Sequence, residues 1–89
     1  MFGSLNPTQW KRLTATGLVK TGQGQLTGLL CASSSSMTAT VYDGIDSTGV
    51  LIVNTMSLTA ATPYPMPAKF NVGCYIVIGG TGDLTVFYD

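Results

Sequence analysis

From Leu13 onward, Gly, Ser, Pro and Asp interrupt the chain every few residues, and the stretches between them are rich in Val, Ile, Leu, Thr and Tyr. No stretch is long enough or regular enough at a 3.6-residue period for a stable helix, whereas short β-branched and aromatic runs bounded by turn residues are the pattern of strands. The runs cover residues 13–20, 25–32, 38–42, 50–56, 68–71, 74–78 and 84–88. They predict an all-β fold: a small antiparallel β-sandwich or jelly-roll-like domain of about seven short strands. Residues 1–12 read as an N-terminal arm and residues 13–89 as a single β domain.

Alternation sorts the faces. Ala39 and Val41 oppose Thr38, Thr40 and Tyr42, and Leu84, Val86 and Tyr88 oppose Thr85 and Phe87, so the Thr faces are expected to look outward. Residues 50–53 and 75–78 are apolar at consecutive positions, which predicts strands covered on both faces, the second face by the arm, a loop or another subunit. Residues 43–49 predict a long hairpin loop, and residues 79–83 a second hairpin turn between 74–78 and 84–88. Ser33 to Ser36 reads as a short polar loop. Residues 62–67, with Pro63, Pro65 and Pro67, read as an extended connection or an edge, because three nitrogens carry no hydrogen. Residues 22–28 contain Gly22, Gly24 and Gly28, but the spacing does not match a dinucleotide fingerprint and leads into a strand. They signal a turn or bulge.

Composition then narrows the function. Only 9% of the 89 residues are charged, the net charge is zero, and 45% are hydrophobic. Burial worth about 125 kcal/mol stands against an ordering cost of about 130 for a monomer of this size, so covering surface in an oligomer is the economical route to stability. The cations are Lys11, Arg12, Lys20 and Lys69, too few for nucleic acid to be an expected partner. The apolar runs are far shorter than the roughly 20 residues of a spanning helix, and no basic segment precedes an apolar run at the start. Neither a membrane association nor a secretory signal is expected.

The chemistry-bearing residues are few. There is no His and no Glu, so the usual base for a Ser or Cys nucleophile is missing and an enzyme is not expected. Asp43, Asp46 and Asp83 lie in turns and read as bonding nearby amides. The oxygen-rich 43–46 loop admits a Ca²⁺ ion as an alternative but lacks the further carboxylates of a tight site. No cofactor is implied. Cys31 and Cys74 sit in apolar runs and read as buried free thiols, a disulfide between neighbouring strands being the alternative. Phe70, Tyr75 and Phe87 read as core. Phe2, Trp10, Lys11 and Arg12 are the candidate partner-binding residues, because large aromatics and Arg carry much of the energy of protein interfaces. An arm folded back over its own domain is the alternative.

The opening at residues 19–22, Leu29-Leu30 before the serines, residues 40–44 followed by Gly49, and the closing residues 84–88 resemble small all-β virion proteins of tailed bacteriophages, of the capsid decoration (cement) or head-fibre type. The resemblance spans residues 19–88 and implies a structural subunit. It would be made in the host cytoplasm and located on the capsid surface, commonly as a homotrimer, with the major capsid protein of the head as partner. A fibre or adhesin module that binds a host-surface glycan or receptor is the second reading.

Overall fold

The computed structural model describes residues 9–89, and among them the fold is all-β and antiparallel, without a helix. Six strands follow in order: β1 (Gln9–Leu13), β2 (Gly17–Thr21), β3 (Gly24–Asp43), β4 (Val50–Ser57), β5 (Thr62–Phe70) and β6 (Gly73–Tyr88). The central ladder pairs β3 with β6, from Leu26 opposite Tyr88 to Asp43 opposite Cys74. On the outer side of β6, β1 pairs with residues 84–88 and β2 with residues 73–76. On the outer side of β3, β5 pairs with residues 24–31 and β4 with residues 38–43.

Short connections force this ladder to fold back on itself. Thr21 pairs with Gly73 at one end of β6, yet Leu26, just beyond the start of β3, pairs with Tyr88 at the other end. Laid flat, the 16 residues of β6 would span about 50 Å, whereas the three steps from Thr21 to Gly24 reach about 10 Å. The two-residue connection from Phe70 to Gly73 makes the same crossing. The crossings touch, the Gly22 N–H donating to the Val72 carbonyl at 2.8 Å. The two halves of the sheet therefore share one core, in which Leu26, Leu29, Leu84 and Val86 of one half and Val41, Cys74 and Ile76 of the other are fully buried. The accessible surface, 4912 Å², equals the roughly 5,000 Å² of a compact monomer of this mass.

All the long strands bend at one level, and polar side chains bind the backbone groups released there. Ser36 in β3 and Gly80 in β6 take positive φ (55° and 73°), as does Ala61 before β5 (57°). The Ser34 hydroxyl accepts the Met37 N–H at 3.2 Å and donates to the Leu58 carbonyl at 2.8 Å. The Thr16 hydroxyl accepts the Ile78 N–H at 2.9 Å, across the break between β1 and β2. A Cβ on Gly80 would collide with the Ser36 carbonyl, so this position requires Gly for space as well as for φ.

Several sequence expectations change accordingly. The seven runs become six strands: residues 25–32 and 38–42 join through the serines as β3, residues 74–78 and 84–88 join as β6, and residues 13–20 divide between β1 and β2. Residues 74–88 are not a hairpin but one strand. The glycines at 79, 80 and 82 bend β6 without reversing it, since unbroken β3 lies beside it. Residues 9–12 belong to strand β1 rather than to an arm, held by the ladder to residues 85–88. The 43–49 hairpin loop is present, with Asp43 opposite Val50. Residues 62–67 form the start of edge strand β5. Two of the expected outward Thr residues are half-buried, and Thr40 is buried, its hydroxyl 2.7 Å from that of Thr55. Val50 and Leu51 are 72% and 48% exposed, so the described residues do not cover both faces of β4.

Two substitutions test this account. Leu84→Ala, which empties a fully buried site, is expected to cost about 2–5 kcal/mol in denaturant unfolding. Gly80→Ala at the bend is expected to cost more than about 1 kcal/mol, and an unchanged midpoint would contradict the bend.

Candidate interaction surface

Partners directly opposite in an antiparallel ladder share a face, so the registers define rows across the sheet. In the half containing β1, one row runs Trp10, Phe87, Gly28, Pro65 and the next runs Arg12, Thr85, Leu30, Pro63. These rows face away from the core. Trp10 is 66% exposed. Because Gly28 has no side chain, a shallow groove of about 350 Å³ opens between residues 28–30, residues 63–65 and Phe87, with an almost wholly apolar lining. A Cβ at residue 28 would stand 3.2 Å from the Tyr64 carbonyl. Pro63, Pro65 and Pro67 are exposed while Tyr64 and Met66 between them are half-buried, the period-2 pattern of a strand. That alternation was the available sequence signal for this wall; nothing in sequence tied it to Gly28 or Phe87.

Strand geometry separates the residues singled out from sequence. Trp10 and Arg12 share the outward face, whereas Lys11 stands opposite Val86 on the other face and donates to the Leu18 carbonyl of β2 at 2.8 Å. The Arg12 guanidinium is anchored, its Nε 2.8 and 2.9 Å from the Asp83 carboxylate oxygens and its Nη2 2.8 Å from Oδ2. This pair holds the Asp83 carboxyl below its ordinary range, chiefly through the side-chain hydrogen bond. Phe2 lies outside the described residues. Of the aromatics read as core, Phe70 is fully buried, while Tyr75 and Phe87 are half-buried in outward rows.

The other half presents a second outward row: Leu18, Tyr75, Tyr42, Leu51. It ends at β4, an edge strand with neither charge nor proline. The remaining edges carry Lys11 and Arg12 (β1), Lys20 (β2), and three prolines with Lys69 (β5), residues that discourage pairing with further strands.

The turn carboxylates serve the backbone. Asp43 accepts the N–H groups of Asn71, Val72 and Gly73 at 2.8 to 3.3 Å, fastening the end of β3 to the crossing between β5 and β6. Those amides, Asn71 first, lower the Asp43 pKa. Asp46 is lowered in the same direction by the Thr48 hydroxyl and N–H, both bound to its Oδ1. Among the described residues no three potential metal-ligating side chains gather. Cys31 and Cys74 are free and buried. Burial raises both thiols, that of Cys74 to about 11, and the Cys31 thiol lies 3.3 Å from the Ser33 carbonyl.

Compared with known protein families, curated proteins and solved structures, the chain matches none.

Because the folded-state pKa of Asp43 is depressed, its contribution to stability is complete above the unfolded value of about 3.9 and is lost as pH falls through the folded value. Asp43→Asn is expected to lower the melting temperature at neutral pH and to flatten its decline between about pH 5 and 2. Equal acid sensitivity in the two proteins would show that another carboxylate controls the decline.

Proposed function

We propose that the protein is a structural subunit that works by assembly and performs no covalent chemistry. Its outward row of Leu18, Tyr75, Tyr42 and Leu51, which ends on the unguarded β4 edge, is the observation that supports this reading. Apolar surface that continues to an uncharged edge is suited to contact with another protein. A chain of zero net charge adds no net repulsion between copies.

Within this reading the fold is a small β-sandwich. The subunit is of the capsid decoration type that residues 19–88 resemble: a homotrimer bound to the major capsid protein on a phage head, stabilising the shell through many weak contacts repeated by symmetry. The full chain is expected to run as an oligomer in light scattering at micromolar concentration. Leu51→Lys, at an exposed position where a surface change typically costs within about 0.5 kcal/mol of fold stability, is expected to lower that mass. A wild-type monomer would remove the main physical support. Copy number relative to the shell protein in purified particles tests the location: hundreds of copies fit decoration, a few to a few dozen fit the fibre or adhesin reading, and absence excludes the virion.

A further inference from the structure

We infer that the outward face around Gly28 is a two-fold contact with a second copy of this chain, packed sheet against sheet. Read across β1, β6, β3 and β5, its first row is Trp10, Phe87, Gly28, Pro65 and its second is Arg12, Thr85, Leu30, Pro63. A two-fold axis in the contact plane, running along the strands between β6 and β3, reverses that order in the second copy. Trp10 then meets Pro65, and Phe87 meets Gly28, whose missing side chain leaves the apolar hollow of about 350 Å³. In the second row Arg12 meets Pro63 and Leu30 meets Thr85. Each larger side chain falls on a smaller one, which is what a self-complementary patch requires.

The charges agree with a second copy as the occupant. Arg12 is the only charged residue of the two rows, and its guanidinium is already paired with Asp83 at 2.8 Å. Two copies therefore meet without net repulsion. Two rows of four residues, about 14 Å across the strands, place the contact among small and weak interfaces. Weak contacts become effective when symmetry repeats them. In the assembly reading, on which this role alone rests, a subunit that joins its neighbours through the β4 half and pairs two-fold through the Gly28 face links separate assemblies into a net.

Cross-linking tests the pairing. Cys31 and Cys74 are fully buried, so a maleimide linker takes only an introduced thiol. Across the two-fold contact, position 12 of one copy and position 63 of the other stand about 10 Å apart, whereas either position is about 17 Å from its own counterpart. A mixture of Arg12→Cys and Pro63→Cys chains at about 1 mM, with a linker of about 10 Å, is expected to give several-fold more linked dimer than either variant alone. Adding Leu30→Lys or Pro65→Lys to both chains should abolish the excess, and adding Leu51→Lys should not. Trp10, the single tryptophan and 66% exposed, gives a second readout. Its acrylamide quenching constant is expected to fall about two-fold between about 10 µM and about 1 mM, in the Leu51→Lys chain as in the wild type. A mixture that links no better than the single variants overturns the inference. Quenching that does not change with concentration also overturns it, since no second copy then covers Trp10. Leu51→Lys lowers the mass in light scattering without touching the link, so the failure of this contact is read apart from the failure of the assembly reading.

Discussion

The fold depends on bending a long antiparallel ladder without breaking it. β3 and β6 remain paired from one end of the molecule to the other, and the two-residue crossings at 22–23 and 71–72 require the ends of that ladder to meet. The bend cannot be gradual at this size. It is concentrated where Ser36 faces Gly80, where β1 gives way to β2, and where β4 gives way to β5. At each place a hydroxyl or a special φ compensates the disturbed hydrogen bonding. With the bend made, apolar residues at every second position of both halves point into one interior, and the described residues acquire a core without a helix or a disulfide among them.

The same geometry governs the polar groups. The few charged side chains are used at joints: Asp43 secures one crossing, Arg12 and Asp83 tie β1 to the region just past the bend in β6, and Lys20 donates to the Asp89 carbonyl. Little charge remains to protect the outer faces, which carry aromatic and aliphatic rows instead. In a chain with 9% charged residues, the surface available for contact is set by which rows the bend turns outward. This links the core to the proposed assembly: both follow from one alternation, read on opposite faces of the same strands.

The groove and the β4 edge offer two different kinds of contact. The groove is a shallow apolar depression between β3, β5 and β6. The β4 edge presents backbone and exposed Val50 and Leu51, fitted to a broad partner. They lie in opposite halves of the sheet, so a contact at one leaves the other free.

Sequence by itself determined the strand class, the alternation of Leu84 with Val86 and of Ala39 with Val41, the 43–49 hairpin, the edge character of the proline segment and the burial of both cysteines. Each is a local property of period, turn chemistry or hydropathy, readable within about ten residues. Only the tertiary structure decided that residues 79–83 bend a strand and do not reverse it, because the same glycines serve either purpose and the choice rests with β3 alongside. It likewise decided that the serines continue β3, and that Trp10 and Arg12 face outward together while Lys11 turns away. The groove was invisible in sequence for the same reason: Gly28, Pro65 and Phe87 lie on three separate strands, and a register between distant strands brings them together.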